Sequence, residues 1–239
     1  MADPGLPADW LARANRLATV AALLKTTVHD LNNALQVISG NAEMLREDQA
    51  SGNNDAIERR TETIGSYATH ATATLAELST FARLMDALEP DSPYTDIDRV
   101  CERVLAMRRY SLARAKIQAA FEARTPLRRA AERPRTVLQI LLNLELNAER
   151  ALVGRPAPRL LISAATYDDR VTVTVEDNGP GVDPDLLPRL FQPAIAPSAA
   201  TLGIGLAASR WLAGRSGGTL DYAPSSLGGA AFTLSLPPA

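Results

Sequence analysis

Four stretches of this chain carry residue types and spacings that could do chemistry. The first is Val28-His29-Asp30-Leu31-Asn32-Asn33. A neutral imidazole on a rigid helix is a nucleophile toward a phosphoryl group. An adjacent carboxylate, Asp30, can orient the ring and take its proton. An amide one helical turn on, Asn33, can position a water beside a phosphorylated ring. A lone histidine on a helix is more often a plain surface residue, and it is the carboxylate and amides around His29 that shift the reading. The second stretch is Leu142-Asn143-Leu144-Glu145-Leu146-Asn147-Ala148-Glu149. Asn143 and Asn147 share one helix face and could hold Mg2+ with its waters, since that ion takes oxygen ligands and keeps much of its hydration. Glu145 and Glu149 lie on another face. The competing reading is a polar stripe facing solvent.

The third stretch is Val173-Thr174-Val175-Glu176-Asp177-Asn178-Gly179-Pro180-Gly181. An apolar strand delivers Asp177 to its end, where the carboxylate could accept a hydrogen bond from the exocyclic amine of an adenine. Gly179 and Gly181 let the backbone come close to the base. An ordinary strand exit also favours Asp-Asn-Gly. In the fourth stretch Gly203 and Gly205 open a helix, and free N–H groups at a helix start attract phosphate.

The elements that must position these residues are legible in the apolar spacing. A heptad seam of Leu17, Val20, Leu24, Val28, Leu31, Leu35, Ile38, Ala42 and Leu45 predicts a long helix from Asp9 to about Glu47. Ser51-Gly52-Asn53-Asn54 reads as a turn. A second helix follows from about Asp55 to Leu88, with Ile57, Ile64, Ala68, Ala71 and Leu75 on its seam. One hairpin cannot enclose its own seam, so the expectation is a homodimer whose two hairpins form a four-helix bundle. Residues 1–88 are thus the helical hairpin, 89–94 the linker and 95–239 a mixed α/β sandwich. Within the last, helices are expected over Thr95–Ala106 (Thr95 as N-cap), Pro134–Leu152 and Gly205–Arg215. Strands are expected over Lys116–Ala123, Leu160–Thr166, Arg170–Asp177, Thr219–Ala223 and Ala231–Leu236.

Composition removes several other classes. The 239 residues carry 25 basic and 27 acidic side chains, a net charge of −2, so no field favours nucleic acid or an anionic membrane surface. One cysteine, Cys101, excludes an internal disulfide, and with only two histidines a Cys/His metal site lacks ligands. The apolar run Leu17–Leu24 is far short of the roughly 20 residues that cross a bilayer. The expectation is a cytoplasmic protein with no membrane insertion; residues 1–8 are too short to form a sensor domain, which leaves either an excised core or a kinase that takes its signal from another protein.

The four motifs occur in a specific order, and from about Leu17 to Leu236 the chain resembles a sensor histidine kinase catalytic core. The resemblance implies a dimerisation and phosphoacceptor hairpin followed by an ATP-binding domain of the Bergerat (GHKL) fold. It implies His29 as phosphoacceptor, Asp30 as its base and Asn33 as the residue serving a phosphatase half-reaction. Asn147 would hold Mg2+ with Asn143 beside it, and Asp177 would read adenine. Gly179, Gly181, Gly203 and Gly205 would shape the nucleotide pocket, and Phe191 would anchor the ATP lid. The implied partner is the receiver domain of a response regulator. ATP-hydrolysing relatives typically place a glutamate four residues before the metal-binding asparagine. Asn143 stands there in this chain, which suits transfer to His29 better than hydrolysis.

Two departures from the family pattern stand out. Residues 190–209 contain no charged side chain, where such kinases often carry Thr and Lys near the γ-phosphate, so ATP binding is expected to be weaker than usual. Ala34 stands where many relatives have Pro. The alternative reading is a non-catalytic phosphotransfer adaptor or regulator-binding scaffold with a degenerate ATP site.

Overall fold

The computed structural model describes residues 10–86, 92–126, 129–167, 169–193 and 204–239. In chain order these form α1 (Trp10–Ser51), α2 (Asn54–Asp86), α3 (Ile97–Arg114), β1 (Gln118–Ala123), α4 (Pro134–Leu152), β2 (Arg159–Tyr167), β3 (Arg170–Asp177), a 3-10 helix (Pro184–Arg189), α5 (Gly205–Arg215), β4 (Thr219–Pro224) and β5 (Ala230–Leu236). The chain divides into two compact units, Ala21–Leu84 and Met1–Val20 with Met85–Ala239.

The first unit is a helical hairpin. Gly52, at φ +71°, takes the left-handed conformation that the tight turn needs. Asn53 then caps α2, its Oδ1 accepting the Ala56 N–H at 3.2 Å. Arg60 of α2 reaches back to the Asp48 carboxylate and to Asn41 Oδ1 of α1, which fixes the antiparallel register. Ala34, Ala56 and Thr74 are buried. Much of the apolar seam is not: Leu24 is 40% exposed, Val28 51%, Leu35 55% and Leu75 49%. The buried positions lie one residue before Leu35, Ile57 and Leu75 of the expected seam, and the small seam residues Ala42 and Ala68 are exposed.

The second unit packs α3, α4 and α5 against a five-stranded sheet of order β1-β2-β3-β5-β4. β1 and β2 run parallel, and the other neighbours are antiparallel. A parallel pair needs a crossover, and α4 supplies it. Val171, Val173 and Val175 of β3 are buried toward the helices, with Leu160 and Ile162 of β2 and Leu234 and Leu236 of β5. Thr172 and Thr174 alternate to the other face. Among the described residues no helix is long and apolar enough to cross a membrane.

Three local expectations are corrected. Helix α3 starts at Ile97, and its N-cap is Asp96, whose side chain accepts the Arg99 N–H. Thr95 instead pairs with Ala130 in an isolated bridge and donates its hydroxyl to the Glu132 carbonyl. The helix also continues past Ala106 to Arg114, because Met107, Arg108 and Leu112 all turn inward. An arginine on the buried face disguised the period. The following strand starts at Gln118, since Lys116 sits at φ +57° in the intervening turn. Cys101 is fully buried, and burial together with the Asp98 and Glu102 charges pushes its thiol up to about 12, so it serves as packing.

The buried arginine has two acidic partners on α4. Arg108 Nη2 donates to Glu149 Oε2 at 2.6 Å, and its Nε lies 3.4 Å from Glu145 Oε2. Glu145 is 0% exposed, so its charge depends on groups within the fold. Replacing Arg108 with Ala is expected to cost about 3 kcal/mol in urea unfolding, whereas the double change Arg108→Leu with Glu145→Leu recovers most of that loss.

Candidate functional site

Strand β3 ends in a carboxylate that the main chain holds on two sides. Asp177 is 3% exposed. Its Oδ1 accepts the Gly179 N–H at 2.8 Å and the Ala230 N–H at 3.2 Å. Its carbonyl accepts the Gly229 N–H at 3.1 Å. Two loops, the β3 exit and the β4–β5 turn, thus converge on one side chain. The approach is too close for a Cβ at Gly179, which would fall 2.8 Å from Asp177 Oδ1 and 3.0 Å from Ala151 Cβ. A Cβ at Gly229 would clash with the same carboxylate. Gly181, at φ +74°, turns the chain away. Among the described residues no donor is seated on Oδ2, the oxygen left for a ligand. Burial pushes the Asp177 carboxyl above its ordinary value, while the two N–H groups and Arg155 pull it back.

The two asparagines of α4 share a face but differ in use. Asn147 is half-buried, and its Oδ1 accepts from Arg150 Nη1 at 3.1 Å. Asn143 is buried and committed to protein partners. Its Nδ2 donates to Ser209 Oγ at 3.0 Å and to the Gly205 carbonyl at 3.5 Å, and its Oδ1 accepts from the Thr19 hydroxyl at 2.9 Å. Asn143 therefore ties α4 to the first turn of α5, where Gly205 lies. Glu145 points to Arg108, so no carboxylate stands at the Asn143 position. The reading of this stretch as a solvent-facing polar stripe is overturned, because Asn143 and Glu145 are both buried.

Helix α5 begins at Gly205 behind Ile204, with no side chain capping its first N–H groups. Gly203 lies outside the described residues. Phe191, half-buried, carries the Arg210 guanidinium 4.5 Å over its ring, which fixes the chain entering residues 194–203 to α5. Among the described residues no group of three or more His, Cys, Asp or Glu side chains is placed to hold a metal. An ion here would take the Asn147 amide oxygen and otherwise the oxygens of ligand and water. A cradle lacking Cβ atoms beside a buried acceptor, with an amide on the neighbouring helix, fits a purine nucleotide and one hydrated Mg2+.

The hairpin unit carries the other predicted group. The His29 side chain is 72% exposed. Its Nδ1 lies 3.2 Å from Asn33 Nδ2 and 3.6 Å from Asp30 Oδ1. Both neighbours crowd Nδ1, so Nε2 is the nitrogen that faces outward. Sequence reasoning missed Gly229, Ala230, Ser209 and Arg155. Only the Gly228-Gly229 pair left a signal, as a close-approach turn.

Comparison with known proteins follows the same division. Residues 132–239 match the family described as histidine kinase-, DNA gyrase B-, and HSP90-like ATPase. The sensor histidine kinase ZraS of Salmonella typhi is 27% identical over 229 residues, covering 96% of this chain and 48% of ZraS. The chain thus spans about half the length of that curated relative. The catalytic domain of histidine kinase ThkA superposes with a TM-score of 0.55 at 20% identity, covering 62% of this chain and 99% of that domain, which shows the fold. Full-length ShkA, solved in complex with AMPPNP, gives a TM-score of 0.54 at 28% identity, covering 77% of this chain and 39% of ShkA.

The raised Asp177 pKa fixes a sign. The folded chain holds that proton to higher pH than the unfolded chain, so ionisation of Asp177 subtracts stability as pH rises above the ordinary carboxylate range. Asn keeps the Oδ1 acceptor and removes the charge. Asp177→Asn is therefore expected to melt at or above the wild-type temperature at neutral pH, with its advantage shrinking on acidification, as read by circular dichroism.

Proposed function

We propose that this chain, whose residues 132–239 match the histidine kinase-, DNA gyrase B-, and HSP90-like ATPase family and which is similar to sensor histidine kinases over 96% of its length, is an ATP-dependent protein histidine kinase. It autophosphorylates His29 and passes the phosphoryl group to an aspartate on the receiver domain of a response regulator. The observation that carries the nucleotide half is Asp177, buried at a strand end with Oδ1 bound by two main-chain N–H groups and glycines on the approach. An adenine amine donates to its remaining oxygen.

In this reading Nε2 of His29 attacks the γ-phosphorus in line with the bond to ADP, which leaves as the new N–P bond forms. The attack needs the tautomer with its proton on Nδ1, so the Asn33 amide nitrogen, which can only donate, must release Nδ1, and Asp30, 3.6 Å away, then stabilises the charged ring and takes the proton. Asn147 holds Mg2+ when it is bound, and that ion offsets the charge on the phosphate oxygens. The uncapped start of α5 at Gly205 offers main-chain N–H groups to phosphate oxygens. Asn33, beside His29, orients a water for the reverse task of dephosphorylating the regulator. Residues 1–88 act as the dimerisation and phosphoacceptor hairpin, 89–94 as the hinge and 95–239 as the catalytic domain. The exposed Leu24, Val28, Leu35 and Leu75 support two hairpins closing into a four-helix bundle. The working location is the cytoplasm, with no nucleic-acid partner.

A second reading keeps one specific observation in view. Residues 190–209 have no charged side chain, as in a phosphotransfer adaptor that takes phosphate from a regulator and never from ATP.

Incubation with Mg-[γ-32P]ATP is expected to give acid-labile, base-stable label on the wild type and none on His29→Ala. Label that persists in His29→Ala on His70 would reject the assignment, and label obtained only from a phosphorylated regulator would establish the adaptor. Asp177→Ala is expected to abolish ATP binding by calorimetry. Light scattering at micromolar concentration is expected to return twice the chain mass.

A further inference from the structure

The connection from α4 to β2 contains a cation with no task in the scheme above. Arg155 follows Gly154 and is exposed, yet its Nη2 donates to the carbonyls of Asn178 at 3.3 Å and Gly179 at 3.2 Å. Contacts run back the other way. The Arg159 N–H donates to Asn178 Oδ1 at 2.7 Å, and Asn178 Nδ2 donates to the Ala157 carbonyl at 3.0 Å. Ala157 itself stands at φ +46°, a left-handed conformation that costs a non-glycine residue free energy. This connection is shaped to meet the strand exit rather than merely to join two elements.

The exit also rests on α4. A Cβ at Gly179 would come 3.0 Å from Ala151 Cβ and 3.1 Å from the Ala151 carbonyl. Ala151 lies one helical turn beyond Asn147, on the same face. The turn that follows Asp177 is therefore set in register with the helix that bears Asn147, and the Arg155 guanidinium ties the connection after that helix to the turn. A planar guanidinium suits the task, because it can serve two carbonyls at once. The same cation favours the charged form of the Asp177 carboxylate, against the effect of burial.

We propose that Arg155 is a positioning residue of the nucleotide site: by bridging the carbonyls of Asn178 and Gly179 it fixes how the Asp177–Gly181 turn meets a purine. The inference rests on the nucleotide-site reading above and adds a determinant of adenine recognition. A purine that donates to Asp177 through its exocyclic amine gains from correct placement of the turn. Hypoxanthine, which has no such amine, gains little. Arg155 thus acts on the difference between the two bases and not on phosphate affinity.

The test is calorimetry of the full chain with MgADP and with MgIDP, on wild type, Arg155→Ala and Arg155→Lys. The wild type is expected to prefer ADP. Arg155→Ala is expected to weaken ADP about tenfold, the size of one or two charge-assisted hydrogen bonds, while IDP changes little, so the ADP-to-IDP ratio collapses. Arg155→Lys, which keeps the charge but not the planar guanidinium, falls between. If Arg155→Ala melts earlier but keeps the wild-type ratio, the residue is only a surface brace and the proposal is wrong. A wild type that binds neither nucleotide would overturn the nucleotide site itself, and this inference with it. Wild-type ADP binding with unaltered variant ratios would sink this inference alone.

Discussion

A carboxylate taken out of water at the end of a strand must be met by donors, and here the donors are main-chain N–H groups from two separate loops. Asp177 Oδ1 draws in Gly179 from the β3 exit and Ala230 from the β4–β5 turn. Each loop must come so close that a side chain would collide with the carboxylate, so glycine occupies 179 and 229. One oxygen of the carboxylate organises the backbone, and the other is left for a ligand. Neighbouring Glu176 holds the same turn from the opposite face of the sheet, accepting from Ser225 and Ser226. Two adjacent acidic residues on one strand therefore do different work because successive side chains point to opposite faces.

Helix α4 is the second organising element. It is buried on nearly all sides, between α3, α5 and the sheet. The buried polar groups of such a helix need partners on neighbouring elements. Glu145 and Glu149 meet Arg108 of α3, Asn143 meets Ser209 and Gly205 of α5, and Asn147 receives Arg150. Its last turn supports Gly179. The helix that carries Asn147 thus also supports the turn that follows Asp177.

The hairpin obeys a different economy. Its helices bury Ala34 and Ala56 and leave Val28 and Leu35 more than half exposed. The two-helix contact falls beside the seam predicted by the heptad, on Ala34 and Ala56 rather than on Leu35 and Ile57. His29 sits at the edge of this surface with its Nδ1 crowded by Asp30 and Asn33 and its Nε2 outward. A ring so placed is open to solvent and is oriented by residues of its own helix.

The sequence by itself determined the long hairpin, the bounds of α4 and α5, the β2–β3 hairpin, and the place of Asp177 and Gly179 at a strand exit. Periodicity, turn chemistry and short motifs are local properties, and these features are local. It misjudged the start and length of α3, because Arg108 on a buried face breaks the apolar period and only its partners on α4 explain it. It paired Asn143 with Asn147 by spacing, and could not show that Ser209, 66 residues on, claims the Asn143 amide. Nor could it foresee Ala230 beneath Asp177, or Arg155 across Asn178 and Gly179. Those contacts join segments distant in the chain, and hydrogen-bond partners at such separations exist only once the sheet order and the helix layer have brought them within reach.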